Sequence, residues 1–411
     1  MNYCSKQVDE KLKLKQMIMN KLDYLGDVDD EEIQTIIDDC ILEYSRSDFL
    51  EVSKKQTLKR ELFNGIRKYD VLQELIDNDE ISEIMINGWR DIFIETHGII
   101  QKWDKHFETK EKLEDVIQQM VSRSNRMVNE ANPIVDARLY DGSRIHVVLS
   151  PISIDGPAVT IRKFPLENIT MEQLITWEAI SKEVAEFLRK LVVSQYNIFV
   201  SGGTGSGKTT LLNVLSNYIP EDERVITIED SAELQILHVP NLVRLETKES
   251  IMEGSKKITM EHLIKASLRM RPSRVIVGEV RDGEAVVNML QAMNTGAASM
   301  STGHANSPKD MLNRLEALAL IGMNMPLLSA RKQIASAIDI IIHLGRLRDK
   351  SRRVLEIIEV LDIKGEEIQI NPLYQFKEMG VSKQNKIIGQ LVSTGNTLKK
   401  REKLEKAGLF E

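Results

Sequence analysis

Hydrophobic side chains recur at helical spacing early in the chain. From Glu32 onward one stripe is apolar, and its members are Ile33, Ile36, Ile37, Cys40, Ile41 and Tyr44. This spacing puts them on one helix face, and Asp29 with Glu32 forms a capping pair at the start. The pattern predicts a helical segment over residues 1–66. A helix docked on its own protein and a partner-binding helix would show the same stripe.

Residues 67–164 show shorter patterns, which predict a smaller α+β domain followed by a hinge at 165–174. Asn87 and Gly88 separate two β-rich runs and give a hairpin-type turn signal. The predicted elements are strands near 84–86, 92–94, 145–149 and 158–161 and one helix near 113–121.

From Thr170 onward, strands and helices alternate, which predicts a mostly parallel sheet covered on both faces. A helix at 182–193 leads into a strand at 198–200 and then a glycine-rich loop. The further predicted strands lie near 225–228, 275–277, 338–343 and 354–369. We therefore predict an α/β domain over residues 175–376 and a separate tail over 377–411.

Composition narrows the class of protein. A chain of 411 residues exceeds one ordinary core, so two domains are expected. The start of the chain lacks the features of a signal peptide, and the apolar run at 338–344 contains Asp339 and is too short for a membrane span. Cys4 and Cys40 cannot form a disulfide framework or a four-cysteine zinc site. We expect a cytoplasmic protein.

Charge argues against a dedicated nucleic-acid binder, because the net charge is −7. The segment 377–411 is an exception, with 8 Lys/Arg against 4 Asp/Glu. Such a tail could contact anionic lipid or an acidic partner. A solvated, partly disordered tail is the simpler interpretation.

The glycine-rich loop fits the phosphate-loop pattern of a glycine, four residues and then Gly-Lys-Thr. Glycines let the backbone approach phosphates closely, and the following helix directs its positive end at them. We expect Lys208 to reach the β- and γ-phosphates of ATP and the Thr209 hydroxyl to ligate Mg²⁺. The predicted nucleotide-binding residues are Gly202, Gly203, Thr204, Gly205, Ser206, Gly207, Lys208, Thr209 and Thr210.

Two other apolar runs end in carboxylates, at the strand edge where ligands bind in open α/β sheets. Glu279 follows one run, and we expect it to act as general base or to position water, with Mg²⁺ contacted through water. Gly278 stands where many nucleotidases carry an aspartate. Glu229 and Glu233 follow the other run. A purely structural Glu279 is the alternative.

A Thr-Gly-His-Ala-Asn run at 302–306 follows a strand of small residues. His304 in this run could sense the γ-phosphate, or it could be a structural hydrogen-bonding group, and the sequence leaves both interpretations open.

Taken in order, these motifs resemble the type II/IV secretion ATPase superfamily. The order is the phosphate loop, Ile-Glu-Asp at 228–230, Val-Gly-Glu-Val-Arg at 277–281 and Ser-Thr-Gly-His-Ala-Asn at 301–306. Upstream runs at 81–88, 133–139 and 141–144 resemble its CpaF/TadA branch, which powers tight-adherence pili. The resemblance covers about residues 70–375, and the absence of a four-cysteine metal domain also favours this branch.

The resemblance implies a RecA-like P-loop ATPase domain preceded by a PAS-like domain that clamps nucleotide. It also implies a homohexameric ring at the inner face of the cell membrane, with an inner-membrane platform protein as partner. The function that follows is ATP hydrolysis coupled to inter-domain motion, driving protein export or Tad/Flp-type pilus assembly.

Roles carry over from the family by position. Glu229 and Glu233 fall in its acidic box, Glu279 in its Walker B segment and His304 at the second histidine of its histidine box. The first histidine is missing, since Thr295-Gly296 is followed by Ala297-Ala298.

Three N-terminal arginines lie on segments that resemble the family's nucleotide clamp: Arg138, Arg144 and Arg162. Such arginines stabilise the charge that develops in phosphoryl transfer. Ordinary salt-bridge arginines are the alternative for each.

Two other functions stay open. RecA-like cores also build nucleic-acid motors, although the acidic charge and lack of a basic stripe with aromatics count against one here. A nucleotide-regulated scaffold with little hydrolysis would fit the altered histidine box.

Overall fold

The computed structural model describes residues 2–22, 28–96, 98–124, 126–163, 169–248, 257–323 and 325–409. The chain divides into two compact units, Met1–Glu167 and Asn168–Glu411. Of the predicted hinge, residues 165–168 lie outside the described ranges, and residues 171–174 are helical.

Three helices open the first unit: α1 (Asn2–Leu22), α2 (Asp30–Ser47) and α3 (Val52–Arg67). The capping pair is confirmed, because the Asp29 carboxylate accepts from the Glu32 backbone N–H at 2.8 Å and Glu32 accepts from that of Asp29 at 3.2 Å. The predicted stripe packs mostly inward, with Ile33, Ile37, Cys40, Ile41 and Tyr44 buried against Leu14, Ile18, Leu58 and Leu62. The α2 stripe therefore docks on its own protein.

The remainder of the first unit is one antiparallel sheet with helices packed on it. Its elements are α4 (Leu72–Ile76), β1 (Ile81–Asn87), β2 (Asp91–Thr96), β3 (Ile99–Lys102), α5 (Lys110–Ser122), β4 (Ile134–Arg138), β5 (Arg144–Val148) and β6 (Ala158–Arg162). The described strands are ordered β3-β2-β1-β6-β5-β4. The predicted hairpin is confirmed, since β1 and β2 pair antiparallel around Asn87 and Asp91.

The second unit is built on a nine-stranded sheet in the described part of the chain. Its first elements are α6 (Met171–Thr176), α7 (Lys182–Val193), β7 (Ile198–Gly202), α8 (Lys208–Ser216), β8 (Val225–Glu229), β9 (Leu242–Glu246), α9 (Met260–Ser267), β10 (Arg274–Val277) and α10 (Gly283–Asn294). It continues with β11 (Ala298–His304), α11 (Pro308–Gly322), α12 (Leu327–Ala337), β12 (Ile340–Arg346), β13 (Arg352–Lys364), β14 (Glu367–Val381), β15 (Ile387–Ser393) and α13 (Glu402–Lys406).

The order of this sheet is β15-β14-β13-β12-β7-β11-β10-β8-β9. Strands β12, β7, β11, β10, β8 and β9 pair in parallel, and β12 to β15 pair antiparallel. Successive side chains of β7 point to opposite faces of the sheet. Ile198 and Val200 pack into the hydrophobic core on one face, and Phe199 packs into the core on the other. Apolar residues on both faces are what a parallel sheet covered by helices requires.

The prediction of a solvated tail over 377–411 is wrong for the residues described up to 409. Strand β14 continues to Val381 and pairs with β15, so the predicted domain end at 376 falls inside a strand. Helix α13 follows, and the Lys403 ammonium pairs with Asp339 at 2.7 Å. The basic composition suggested a solvated tail, but part of the positive charge pairs with the rest of the second unit and docks the segment there.

Glu359 on β13 anchors this C-terminal segment. Its carboxylate is fully buried and accepts from the backbone N–H groups of Lys399 at 3.0 Å and Lys400 at 2.6 Å. It also accepts from Asn371 Nδ2 at 2.7 Å. Several donors offset the cost of burying one charge.

No helix in the described ranges combines the length and the apolar composition needed to cross a bilayer.

We expect Glu359→Ala to lower the free energy of unfolding by about 3 kcal/mol, because it strands buried donors that now bond a carboxylate. It should also expose the segment after β15 to protease. The control is Glu356→Ala on the same strand. Burial raises the pKa of Glu356, which means that the folded protein does not stabilise this charge. Removing the Glu356 side chain should therefore change the free energy of unfolding by less than about 1 kcal/mol. Denaturant unfolding and limited proteolysis measure both effects, and equal losses in the two variants would contradict the anchoring role.

Candidate functional site

Four neighbouring parallel strands bring the predicted site residues of the second unit to one edge. Gly202 at the end of β7 pairs with His304 at the end of β11, and Val277 at the end of β10 pairs with Ser301 and Ile228. The phosphate loop and the segments beginning at Gly278 and Glu229 therefore leave the sheet side by side. Ligands bind at such carboxyl ends in open α/β sheets.

The phosphate loop has a backbone that glycine permits and other residues resist. Gly205 and Gly207 have φ of 68° and 95°, in the left-handed region. A side chain at Gly202 would lie 2.5 Å from the Leu344 carbonyl and 2.6 Å from Ser206 Oγ. Helix α8 then begins at Lys208, and its N-terminal end faces the loop. The result is an anion cradle of backbone N–H groups and a helix terminus.

Lys208 is held inside this loop. Its side chain is 7% exposed, and its ammonium donates to the Gly203 carbonyl at 2.9 Å. Burial holds the pKa of Lys208 below its ordinary value, against the opposing effect of Glu279. Thr209 and Thr210 follow in the first turn of α8, half-buried.

A chain of polar contacts runs from Lys208 along the sheet edge. Lys208 Nζ lies 3.4 Å from His304 Nδ1, and His304 Nε2 lies 3.1 Å from Glu279 Oε1. Arg281 Nη2 donates to Glu279 Oε2 at 2.9 Å, and its Nη1 lies 3.7 Å from Asp230 Oδ2. The ends of four strands thus contribute to one connected charge network.

The protonation states in this network follow from its surroundings. Burial, and then Lys208, lower the pKa of His304, so the imidazole is neutral at neutral pH. The tautomer with its proton on Nε2 accepts from Lys208 and donates to Glu279. Burial opposes the ionisation of Glu279, but Arg281, His304 and Lys208 outweigh it and lower its pKa. A carboxylate with a lowered pKa is a weak base, which favours water positioning over proton abstraction.

Glu229 is the most buried carboxylate of the site, at 3% exposure. Its Oε2 accepts from the backbone N–H groups of Glu233 at 2.7 Å and Leu234 at 3.0 Å. Its buried Oε1 has no hydrogen-bond partner among the described residues. Burial raises the pKa of Glu229, with the two N–H groups opposing it.

Gly278 leaves the room that Glu229 fills. A Cβ at position 278 would lie 3.1 Å from Glu229 Cγ and 3.7 Å from its Oε2. An aspartate at position 278, usual in many nucleotidases, would compete for this space. In such enzymes the strand equivalent to β10 supplies this carboxylate. Here Glu229 supplies a carboxylate from β8, beside position 278.

The backbone N–H of Glu233 donates to Glu229. The pKa of Arg281 is raised mainly by Glu279, and the charge of Glu233 adds to this effect. Its predicted catalytic role stays a prediction.

The three predicted arginines lie together in the first unit. Arg138, Arg144 and Arg162 are cross-strand partners on β4, β5 and β6, so they form one row on one face of the sheet. Glu83 on β1 is the cross-strand partner of Arg162 and continues the row. Burial and Glu95 raise the pKa of Glu83, and the charge of Arg162 opposes this rise. Their roles toward nucleotide stay predictions.

Sequence reasoning missed two arginines at the site. Arg281 stands two residues after Glu279, inside the Val-Gly-Glu-Val-Arg run, so a local signal was present. Arg352 donates from Nε to the Gly205 carbonyl at 2.8 Å from a position 147 residues away. No local pattern identifies such a contact.

The residues fit a Mg²⁺–nucleotide. The loop offers backbone donors and Lys208 for phosphates, and Thr209 offers a hydroxyl. Glu229 Oε1 is a buried acceptor to which no described residue donates. Hydroxyl and carboxylate oxygens are the ligands, direct or through water, that Mg²⁺ prefers.

Comparisons with known proteins show the family of this chain. The family described as type II/IV secretion system protein matches residues 67–395. Conjugal transfer protein TrbB of Rhizobium radiobacter is 33% identical over 316 residues, which are 75% of this chain and 93% of that protein. Protein VirB11 of Agrobacterium fabrum is 30% identical over 298 residues, which are 66% of this chain and 86% of that one.

A solved structure, the Legionella pneumophila ATPase DotB, aligns with a TM-score of 0.51 at 21% identity, covering 70% of this chain and 79% of that one. At that identity the likeness concerns the fold alone. The predicted fold class, a RecA-like α/β domain preceded by a smaller α+β domain and N-terminal helices, is confirmed.

We expect Gly278→Asp to lower the free energy of unfolding by about 2 kcal/mol, because it crowds Glu229 and adds a second carboxylate beside it. Adding Glu229→Ala should recover part of this loss, so that the double variant is more stable than the sum of the single effects by about 1 kcal/mol. Gly203→Asp is the control, since a Cβ there meets nothing within 4 Å. Additive losses in the denaturant cycle would contradict the shared space.

Proposed function

Because the chain belongs to the type II/IV secretion system protein family, we propose that it is a Mg²⁺-dependent ATPase whose hydrolysis of ATP drives protein export or Tad/Flp-type pilus assembly. The observation that supports hydrolysis most directly is the contact chain from Lys208 through His304 to Glu279. It connects the phosphate-binding lysine to the carboxylate placed for water.

Each residue has a distinct part in this reaction. The loop and Lys208 bind the phosphates, and the Thr209 hydroxyl and Glu229 hold the metal or its water. Glu279 orients the attacking water, and His304 links its position to that of Lys208. When bound, Mg²⁺ neutralises charge on the phosphate oxygens and ATP supplies the phosphoryl group.

The N-terminal arginine row supplies the charge that phosphoryl transfer requires in addition. Guanidinium groups stabilise the negative charge that develops on the transferring group. The row carries three of them in register at Arg138, Arg144 and Arg162. Their approach to the nucleotide would couple hydrolysis to movement between domains.

The assembly we propose is a homohexameric ring at the inner face of the cell membrane, acting on an inner-membrane platform protein. The CpaF/TadA-like runs at 81–88, 133–139 and 141–144 support the pilus assignment. TrbB, by its name a conjugal transfer protein, makes export by a conjugation-type system the second candidate. Pull-down of the full chain with a pilus platform protein or a conjugation channel component separates the two.

The two rival activities have direct assays. A nucleic-acid motor would show ATP turnover stimulated by single-stranded DNA, and a regulatory scaffold would bind ATP with no steady-state phosphate release.

We expect Glu279→Gln to bind ATP with little change and to lose turnover by about 10²-fold, because the amide keeps the shape but loses the charge. Lys208→Ala should lose both binding and turnover, since no other ammonium offsets the phosphate charge in the loop. Fluorescent-nucleotide titration and phosphate release measure the two steps. Near-normal turnover in a folded Lys208→Ala protein would refute the phosphate-loop assignment, and an active Glu279→Gln with an inactive Glu229→Gln would move the water-positioning role to Glu229.

For the arginine row we expect Arg144→Ala and Arg162→Ala to lower kcat by about 10-fold or more while ATP affinity changes little. Lysine should restore little, because it lacks the planar fork of the guanidinium. Arg90→Ala is the control in the same unit, where the guanidinium stacks over Trp89. Unchanged kcat in Arg138→Ala, Arg144→Ala and Arg162→Ala would show that the first unit does not take part in catalysis.

A further inference from the structure

The β12–β13 hairpin packs against the phosphate loop. Leu344 on β12 is the register partner of Gly202 at the start of the loop. Its carbonyl occupies the space that a side chain at Gly202 would need, at 2.5 Å from that Cβ position. The start of the loop therefore packs directly against the backbone of β12.

Arg352, at the start of β13, reaches the middle of the same loop. Its Nε donates to the Gly205 carbonyl at 2.8 Å, and its Cδ lies 3.7 Å from the Cβ position of Gly207. The side chain thus lies along the loop from Gly205 to Gly207, the two residues with left-handed backbone. The bond fixes the peptide that joins Gly205 to Ser206.

Fixing that peptide has a consequence for phosphate binding. A trans peptide is planar, and its carbonyl and N–H point in opposite directions. When Arg352 holds the Gly205 carbonyl outward, the Ser206 N–H is held inward, toward the Gly203 carbonyl 3.4 Å away. The Lys208 ammonium is bonded to the same carbonyl. The Ser206 N–H and the Lys208 ammonium, two donors for phosphate, are therefore held close together inside the loop.

We propose that Arg352 is a positioning residue that holds the phosphate loop in its anion-binding conformation. This inference rests on the proposed ATPase function for its kinetic part but not for its structural part. The loop contains four glycines between 202 and 207, whose freedom makes an open cradle costly to order. An external bond at its middle lowers that cost before nucleotide arrives, and preorganisation of this kind appears as affinity.

Arg346 provides a matched control. It is the register partner of Arg352 across the hairpin, it is likewise exposed, and among the described residues it has no hydrogen bond to the loop. Arg346→Ala removes the same charge from the same rung of the ladder. It therefore accounts for the general attraction of basic side chains for an anionic nucleotide.

The test uses the full-length protein with Arg352→Ala, Arg352→Lys and Arg346→Ala. Hydrogen exchange of the backbone amides at 202–209, measured without nucleotide, should be faster by about 10-fold in Arg352→Ala and unchanged in Arg346→Ala. The KM for ATP should rise by about 5- to 10-fold in Arg352→Ala, with the loss falling on KM rather than kcat. Lysine should restore part of both, since an ammonium can still donate to the carbonyl.

Equal exchange rates in the wild type and Arg352→Ala would overturn the inference, as would equal increases in KM for Arg352→Ala and Arg346→Ala. A wild-type protein that neither binds nor hydrolyses ATP would refute the proposed function instead. In that case the exchange rates at 202–209 still decide whether Arg352 orders the loop.

Discussion

Parallel pairing of β7, β11, β10 and β8 brings four chain segments out at one edge of the sheet. Each strand is buried on both faces, so none can slip in register without moving apolar side chains of both cores. The loop, His304, Glu279 and Glu229 therefore have fixed relative positions before any ligand binds. Catalysis by positioned charges requires this, because groups that must reorganise during the reaction contribute less.

The charges at that edge are arranged so that each is offset by a neighbour. Buried Lys208 and half-buried Glu279 carry charges of opposite sign and are joined by neutral His304, and Arg281 offsets the second oxygen of Glu279. Glu229 is the exception, since one of its oxygens is buried with no partner among the described residues. An orphaned polar atom in a native site calls for an explanation, and a cation or its water is the one that the proposed function supplies.

Local patterns predicted much of this protein. The turn at Asn87 predicted a hairpin, the stripe from Glu32 predicted a helix, and the helix at 182–193 is α7 as observed. These features depend on neighbours a few residues away. The phosphate loop was also visible, because close approach of backbone to phosphate restricts a short run to glycine.

Features that depend on distant residues were not predictable. The contact from Arg352 to Gly205 and the register of the arginine row follow from strand pairing, which no short run of sequence specifies. The same limitation explains the tail. Its lysines suggested solvent exposure. Instead, buried Glu359 on β13 and buried Asp339 just before β12, both distant in sequence, hold the segment in place.

The measurement that tests the central claim most directly is phosphate release from ATP by the purified wild-type chain. It should be followed with Mg²⁺, with Mg²⁺ removed by excess chelator, and with single-stranded DNA added. A motor ATPase of the kind proposed gives steady turnover with Mg²⁺, none without it and no stimulation by DNA. Absence of turnover with Mg²⁺, in a protein that binds ATP, would contradict the claim and leave a nucleotide-binding scaffold.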